Sequence, residues 1–393
     1  MSGAMRAVVV GAGMIGAVHA GAIRAAGGEV AGVVASTPER SARAAEAWGV
    51  TRGYPDLASA LEDDSVRVVH VCTPNALHVR QAEAALAAGK HVVCEKPLAT
   101  SAADARRLTR LADEAGLVLA VPFVYRYHPL VREIRERRLS GEFGTWQLIH
   151  GSYLQDWMLS ADAMSWRVDP AAGGRSRAFA DIGSHWCDLV EWVAGVRFTE
   201  LTARFGTTVA TRPAGTGTSF AASGHGPRVA VRTEDAATLL LRTGEGVLGS
   251  LTVSQVSAGR KNRLWFELDG SAASAVFDQE NPETVWLGEP DGARVLFRDP
   301  GHGSAAQRRL SRLPAGHPQG YADCFAAFVA DTYEAVRGGT PDGLPTGADG
   351  VRAAELVEAA LASAITLTWT EVAPAVAPYG TPPRDPQPLE ASV

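Results

Sequence analysis

The sequence predicts an α/β protein that combines an N-terminal doubly wound parallel sheet with a C-terminal α+β domain on a large, open, mostly antiparallel sheet. Three observations predict this class. Over about the first 125 residues, short apolar runs alternate with helical segments. The first of these runs leads directly into a glycine-rich turn. Beyond Tyr125, strand-like segments are joined by short Gly-containing turns, which are typical of antiparallel hairpins.

The N-terminal part contains five short apolar runs without polar alternation, as is typical of strands buried on both faces. Helices are predicted between them. Pro38 suits the first turn of one helix, and Ser101 with Asp104 is typical of the capped start of another. Strands and helices in alternation predict a parallel sheet. The predicted strands are Arg6–Gly11, Val30–Ser36, Val66–Thr73, His91–Glu95 and Leu117–Tyr125.

The C-terminal part is predicted to mix helices with antiparallel strands. The predicted helices are Leu130–Leu139, Ser184–Ala194, Tyr321–Arg337 and Gly350–Trp369. The predicted strands are Trp146–Tyr153, Ala237–Arg242, Val247–Val256, Arg263–Leu268, Ala275–Asp278 and Thr284–Leu287. We therefore expect a first domain at residues 1–125, a second at 126–373 and a proline-rich tail at 374–393, with long loops at 212–227 and 299–319.

Charge and cysteine content narrow the class of protein. The 393 residues include 37 Lys and Arg against 43 Asp and Glu, which gives a formal net charge of −6. A mildly acidic chain without a basic block argues against nucleic acid and against a membrane surface as partners. The four cysteines form no CxxC pair, so we expect reduced thiols in a cytoplasmic protein.

The glycine-rich turn predicts a dinucleotide site. Gly11 permits a tight turn, Gly13 lets the backbone approach a pyrophosphate, and Gly16 lets the following helix pack on the strand. Met14 and Ile15 begin that helix, whose N-terminal N–H groups favour phosphate. A single GxGxxG is a weak signal, but here it follows the first buried strand and opens a helix, which is the context that supports it.

The acidic residue that usually binds the adenosine ribose is missing. It should end the second strand, but the sequence there reads VVASTPER. Without a carboxylate a 2′-phosphate is not repelled, and Ser36, Thr37 and Arg40 could contact it. The sequence therefore allows NAD or NADP and favours NADP.

Three polar residues could carry the chemistry. Lys96 follows the fourth strand, at the edge where ligands of parallel sheets bind. Asp181 and His185, with Asp188, are spaced i, i+4 and i+7, so in a helix they share one face. Consecutive helical positions point apart, so we expect no metal site from His185, Cys187 and Asp188.

Together these motifs resemble the Gfo/Idh/MocA family of oxidoreductases, over about residues 5–372. The residues that support the resemblance are the Gly11–Gly16 turn, Thr73-Pro74-Asn75 with His78, Glu95-Lys96-Pro97, Trp166-Arg167, Gly173-Gly174, and Asp181 with His185. The resemblance implies an N-terminal Rossmann domain, a C-terminal sheet that is often used to form a homodimer or homotetramer, and a site between the domains. It also implies that Lys96, Asp181 and His185 lie at the reacting hydroxyl and that the Lys96–Pro97 bond is cis.

The resemblance and the glycine turn together assign residues to the cofactor. We expect it to contact Gly11, Gly13, Met14, Ile15, Gly16, Ser36, Thr37, Arg40, Thr73, Pro74, Asn75, His78, Glu95, Lys96, Pro97, Trp166 and Arg167. Oxidation of an alcohol needs a proton acceptor, for which His185 is suited. Lys96 can stabilise the developing alkoxide, and Asp181 can position the substrate or orient the imidazole. The division of roles between Lys96 and His185 stays open.

Aromatic and charged residues elsewhere suit a polyol, since aromatic faces pack on sugar C–H groups and polar groups bind hydroxyls. The candidate substrate contacts, besides Lys96, Asp181 and His185, are Tyr125, Arg126, Tyr153, Asp156, Trp157 and His317. The sequence thus favours a dehydrogenase that acts on a secondary hydroxyl or carbonyl of a sugar, cyclitol or sugar derivative. A glycoside-cleaving enzyme with transient redox of the sugar ring is the alternative. A regulator that binds the cofactor without catalysis would not need Lys96, Asp181 and His185.

Overall fold

The computed structural model describes residues 4–213, 224 and 226–374. The predicted loop at 212–227 lies mostly outside the described residues, and so does the predicted tail after Pro374.

Residues 4–120 form six strands and five helices in alternation. These are β1 (Arg6–Val10), α1 (Met14–Ala25), β2 (Glu29–Val34), α2 (Pro38–Trp48), β3 (Gly53–Tyr54), α3 (Leu57–Leu61), β4 (Val68–Val71), α4 (His78–Ala87), β5 (His91–Cys94), α5 (Ala102–Glu114) and β6 (Leu119–Ala120).

The first six strands form one parallel sheet in the order β3-β2-β1-β4-β5-β6. The order reverses beside β1, which is the switch point where such sheets bind ligands.

The predicted fifth strand is wrong in length. Only Leu119–Ala120 pairs with β5, and Val124–Tyr127 forms a 3₁₀ turn. Pro122 explains the early end, because it has no N–H to donate to a ladder. The two-residue β3 was missed.

The remainder of the described chain builds a second, larger sheet and further helices. The elements are α6 (Pro129–Leu139), β7 (Trp146–Leu154), α7 (Pro170–Gly173), α8 (Ser184–Ala194), β8 (Phe198–Gly206), β9 (Thr211–Pro213), β10 (Arg228–Ala230), β11 (Ala236–Thr243), β12 (Leu248–Ser254), β13 (Arg263–Gly270), β14 (Ser274–Asp278), β15 (Thr284–Glu289), β16 (Gly292–Phe297), α9 (Ala305–Leu310), α10 (Tyr321–Val336), α11 (Gly347–Thr366) and β17 (Thr370–Glu371). Strands β8, β9, β10, β16 and β17 were not predicted.

The large sheet has nine strands in the order β16-β15-β14-β13-β7-β12-β11-β8-β17. All its neighbouring strands are antiparallel except β12 and β7, which run parallel. Its inner face packs on α8 and α11 and forms the largest apolar core. The predicted fold class, a parallel sheet followed by an open and mostly antiparallel one, is confirmed.

The outer face of the large sheet is open and rich in apolar side chains. On β12 and β7, for example, Leu248 lies directly opposite Leu148, and both are exposed. On β15 and β16, Trp286 lies opposite Val295. Leu240 and Phe297 are also exposed. Between these two groups of apolar residues, β13 places Glu267 and Asp269 on the same face. Exposed apolar clusters on a sheet often mark an interaction site.

The last two long helices return to the parallel sheet. Helix α10 packs on α1, and α11 packs on α5. Cys324, Phe325 and Phe328 of α10 share a core with Val9 and Val68 of the parallel sheet. In the part of the chain that the structure describes, no helix is both long and apolar enough to cross a membrane.

Candidate active site

A cavity of about 1550 Å³ lies where the carboxyl ends of the parallel strands face the ends of β7 and β12. Most of the predicted site residues line it. They are Gly11, Gly13, Met14, Ile15, Ser36, Arg40, Thr73, Pro74, Asn75, His78, Glu95, Lys96, Tyr125, Tyr153, Asp156, Trp157, Trp166, Arg167, Asp181 and His185. The structure thus brings residues from both sheets together in one space.

The glycine turn at the end of β1 is shaped for close contact with a ligand. Gly11 has a φ of +115°, and a Cβ atom there would lie 2.3 Å from the carbonyl oxygen of Cys72. A Cβ atom on Gly16 would lie 2.0 Å from the carbonyl oxygen of Gly11. Gly16 therefore holds α1 against the turn rather than lining the cavity. Gly13 faces open space, and no side chain caps α1. Its free N–H groups suit a pyrophosphate.

The residues after β2 form the far end of the cavity. Arg40 Nη1 donates to Ser36 Oγ at 3.0 Å, and both residues line the cavity. Thr37 Oγ1 instead accepts from the Arg40 backbone N–H at 3.3 Å as the N-cap of α2. Thr37 is therefore placed beside this end of the cavity rather than on its wall.

His78 joins the two loops that follow β4 and β5. Its Nε2 atom lies 2.8 Å from the carbonyl oxygen of Thr73, and its Nδ1 atom lies 2.8 Å from that of Pro97. Burial lowers the pKa of His78. The Lys96–Pro97 peptide bond is cis, as expected. Pro97 itself lies behind the cavity wall, so His78 and Pro97 shape the loop from which Lys96 projects.

An ion pair between Lys96 and Asp181 connects the two halves of the cavity. Lys96 Nζ donates to Asp181 Oδ1 at 2.7 Å and to the Asp181 carbonyl oxygen at 2.8 Å. Gln255 Nε2 donates to Asp181 Oδ2 at 2.9 Å, and Arg167 Nε lies 3.4 Å from the same oxygen. Burial acts to raise the pKa of Asp181, but the charges of Lys96 and Arg167 outweigh it and hold that pKa well below its usual range.

His185 lies one turn after Asp181, on the cavity wall. Asp181 belongs to a turn of π-helix at Phe179–Gly183, which continues directly into α8. Such turns are frequent at functional sites. Burial, and then the nearby Lys96 charge, lower the pKa of His185 well below its ordinary value. The imidazole is therefore neutral at neutral pH and can accept a proton.

Arg126, a predicted substrate contact, does not line the cavity. Its side chain is buried outside the cavity, where Nε donates to Asp188 Oδ2 at 2.9 Å and Nη2 donates to Asp349 Oδ1 at 2.7 Å. Asp188 therefore does not share the cavity with Asp181 and His185. A buried guanidinium needs carboxylate partners, and these two satisfy it.

His317 is likewise not on the cavity. It lies exposed in the segment between α9 and α10. Its carbonyl oxygen accepts a hydrogen bond of 2.7 Å from Arg298 Nη2, which holds this segment in place. The prediction of a substrate contact through His317 is not supported by its position.

The substrate end of the cavity contains a closed set of hydrogen bonds. Tyr125 and Tyr153 hydroxyls lie 2.6 Å apart, Tyr153 donates to Asn262 Oδ1 at 2.7 Å, and Asn262 Nδ2 lies 3.3 Å from the Tyr125 hydroxyl. Burial raises the pKa of Tyr125 to about 12. Gln155 Nε2 also donates to Asn262, at 2.8 Å. This wall offers hydroxyl and amide groups, which suit a ligand rich in hydroxyls.

Gln155 and Gln255 were not predicted as site residues. They directly follow β7 and β12, which are parallel neighbours, so both side chains reach the same edge of the sheet. The signal in the sequence was that a polar residue directly follows each of two strands that are parallel neighbours in the sheet. It was missed because the sequence did not indicate that these two strands pair.

The comparisons with known proteins agree with this geometry. Residues 5–123 match the model described as "Oxidoreductase family, NAD-binding Rossmann fold", and residues 131–276 match the model described as "GFO/IDH/MocA C-terminal domain". The chain belongs to the GFO/IDH/MocA oxidoreductase family. Levoglucosan dehydrogenase from Pseudarthrobacter phenanthrenivorans is 30% identical over 352 residues, which cover 86% of this chain and 88% of that protein.

Two solved structures superpose on most of the chain. Levoglucosan dehydrogenase in complex with NADH and L-sorbose has a TM-score of 0.86 at 28% identity and covers 94% of this chain and 98% of its own. An inositol dehydrogenase homolog from Azotobacter vinelandii in complex with NAD+ has a TM-score of 0.81 at 27% identity, with the same coverage of both chains. The chain is thus an oxidoreductase with an NAD-binding Rossmann domain.

The buried ion pairs of Arg126 predict a stability effect rather than a substrate effect. We expect Arg126→Gln to lower the free energy of unfolding by about 3–5 kcal/mol, because it leaves Asp188 buried without its cation. Urea unfolding followed by circular dichroism measures this loss. Arg110→Gln, at an exposed position on α5, is the control and should change stability by about 0.5 kcal/mol or less. A stability loss no larger than that of the control would contradict the placement of Arg126.

Proposed function

We propose that the chain is an NAD(P)-dependent dehydrogenase that oxidises a secondary hydroxyl of a sugar, cyclitol or anhydrosugar, or reduces the corresponding carbonyl. The observation that supports it most directly is that Lys96, Asp181 and His185 lie in the same cavity as the glycine turn. Relatives named for levoglucosan and inositol have been solved with levoglucosan and with myo-inositol. Levoglucosan and myo-inositol are therefore the first substrates to test.

The cofactor fits the described residues. The open space at Gly13 and the uncapped N-terminus of α1 would hold the pyrophosphate, and the nicotinamide half would extend over the ends of β4 and β5 toward Lys96. Asn75, whose Nδ2 atom donates to the Gly173 carbonyl oxygen at 2.8 Å, holds the loop after β4 against α7. When bound, the nicotinamide accepts or returns the hydride.

The side chains would carry out the proton transfer and the orientation of the substrate. The Lys96 ammonium would donate a hydrogen bond to the reacting oxygen and stabilise the alkoxide that forms there. Neutral His185 would accept the hydroxyl proton, and the Asp181 carboxylate would then stabilise the imidazolium and keep Lys96 oriented. Tyr125, Tyr153 and the amides beside them would orient the other hydroxyls of the substrate.

Loss of the proton acceptor should slow turnover without preventing cofactor binding. We expect His185→Ala to reduce kcat by about a hundredfold or more, measured from NADH or NADPH absorbance with levoglucosan or myo-inositol. The Kd for the reduced cofactor should stay within about twofold, since His185 serves the hydroxyl rather than the pyrophosphate. His317→Ala is the matched control and should leave kcat unchanged. Near-normal kcat for His185→Ala would contradict its role. Glycoside cleavage without net formation of NADH or NADPH would favour the glycoside-cleaving alternative.

We also propose that the chain prefers NADP to NAD. Ser36 and Arg40 line the end of the cavity where the adenosine ribose would lie, and Arg43 lies beside them. Asp56 reaches the same region, but its Oδ1 atom accepts from the backbone N–H and the hydroxyl of Ser59, both at 2.8 Å, as the N-cap of α3. Two guanidinium groups and a hydroxyl suit a 2′-phosphate.

A carboxylate at position 36 should reverse this preference. We expect Ser36→Asp to lower kcat/KM for NADP by about tenfold or more, because the carboxylate would repel the 2′-phosphate. The kcat/KM for NAD in the same variant should change by less than about threefold and serves as the control for folding. Equal losses with both cofactors, or a wild-type preference for NAD, would contradict the proposal.

We propose that a second copy of the chain covers the open face of the large sheet, giving a homodimer or homotetramer. The exposed apolar side chains on β7, β11, β12, β15 and β16 support this, since such residues are costly to leave in water.

A charge at the centre of this face should weaken the assembly. We expect Leu248→Glu to reduce the mass measured by light scattering to that of a smaller species, because a carboxylate would be buried unpaired in the interface. Leu111→Glu changes an exposed leucine on α5 and should leave the mass unchanged. A monomeric wild-type chain would overturn the proposal.

A further inference from the structure

A buried chain of polar side chains runs from the cavity wall into the core of the parallel sheet. It contains Glu95 after β5, His19 on α1, His70 on β4 and Tyr333 on α10. His19, His70 and Tyr333 are at most 1% exposed, and Glu95 is 7% exposed and lines the cavity. The proposed mechanism uses neither histidine and does not use Tyr333. These buried polar side chains therefore have no assigned role.

Each neighbouring pair in the chain is within hydrogen-bond distance. His19 Nε2 lies 3.0 Å from Glu95 Oε1, and His19 Nδ1 lies 2.9 Å from His70 Nδ1. His70 Nε2 lies 3.3 Å from the Tyr333 hydroxyl. The other Glu95 oxygen, Oε2, accepts from the Lys96 backbone N–H at 3.1 Å. Glu95 thus accepts at both oxygens, as a carboxylate does.

One arrangement of hydrogens satisfies every member. Burial lowers the pKa of His70, which is therefore neutral, and burial raises the pKa of Tyr333, which therefore keeps its hydrogen. Tyr333 then donates to His70 Nε2, and His70 donates from Nδ1 to His19 Nδ1. His19 consequently carries its hydrogen on Nε2 and donates to Glu95. All three donors point toward Glu95, and aligned hydrogen bonds of this kind strengthen one another.

The Glu95 carboxylate is available to act on a ligand. The Lys96 ammonium is paired with Asp181 rather than with Glu95, so it does not neutralise the Glu95 charge directly. Glu95 follows β5, on the side of the switch point where the nicotinamide half of a dinucleotide lies in this kind of sheet. Oxidised nicotinamide carries a positive charge that reduced nicotinamide lacks. A fixed carboxylate there favours the oxidised form.

We propose that His19, His70 and Tyr333 are positioning residues that fix the Glu95 carboxylate on the cavity wall, and that this carboxylate raises the affinity for oxidised over reduced nicotinamide. The inference rests on the proposed binding of the cofactor in this cavity. It assigns to Glu95 an electrostatic role that is separate from proton transfer by His185. Tyr333 lies in the core and does not line the cavity, so it does not contact the cofactor site directly.

The test compares the Kd for NADP+ with the Kd for NADPH, and likewise the NAD pair, by calorimetry on the full chain. We expect Glu95→Gln to shift the ratio of these constants toward the reduced form by about tenfold. Tyr333→Phe should shift the ratio in the same direction by about threefold, because it removes the first donor without touching the cavity. His19→Gln, whose amide can still donate toward Glu95, should retain more of the wild-type ratio than His19→Ala.

Tyr127→Phe is the matched control. Tyr127 is also buried and packs on Phe328 of the same helix as Tyr333, but it is not part of the chain of hydrogen bonds. It should leave the ratio unchanged even if it lowers the melting temperature. A ratio that stays constant in Glu95→Gln and Tyr333→Phe, while both forms still bind, would overturn the inference and leave the proposed function standing. Failure of the wild-type chain to bind any nicotinamide cofactor would overturn the proposed function itself.

Discussion

Lys96 and Asp181 approach the cavity from opposite sides, Lys96 after a strand of the parallel sheet and Asp181 ahead of α8 under the large sheet. The Lys96 ammonium donates to both the carboxylate and the carbonyl oxygen of Asp181, so the pair fixes the distance between the two halves. A buried ammonium and a buried carboxylate are each costly alone. Their pairing, with Gln255 donating to the second carboxylate oxygen, makes it possible to keep both charges on the wall of the ligand cavity.

This pairing also determines the state of His185. The imidazole is buried beside an ammonium, and both effects oppose its protonation. Asp181 acts in the other direction, so the imidazolium becomes accessible once a substrate hydroxyl loses its proton. The site therefore places a fixed cation beside a neutral imidazole, as the proposed mechanism requires, and both depend on the position of Asp181.

The sequence predicted the parts of the site that short motifs define. The glycine turn, Lys96, Asp181 and His185 could be located because each motif includes its own structural context, such as a strand end or helical spacing. Arg126 and His317 do not line the cavity, and nothing in the local sequence shows whether a side chain points to a cavity, to a buried carboxylate or to solvent. Asp188, which pairs with Arg126, had the helical spacing of a site residue.

Hydrophobic patterning was enough to predict the fold class, but it did not predict several strands or the ends of some elements. Pro122 ended β6 early, and the short β3 left no periodic signal. Gln155 and Gln255 could not be found, because their proximity depends on the parallel pairing of β7 with β12, between strands nearly a hundred residues apart. The chain from Glu95 to Tyr333 joins segments distant in sequence in the same way, so it is visible only in the folded structure.

The most direct test of the account is the pH dependence of kcat/KM, which reports the ionisation of the free enzyme. Neutral His185 is the active form, so activity should be kept as the pH falls to the ordinary histidine pKa of about 6.5 and lost only below it. His185→Gln should remove this acidic limb from the residual activity. A limb at or above pH 6.5, or an unchanged limb in His185→Gln, would contradict the claim that burial and the Lys96 charge keep His185 neutral as the proton acceptor.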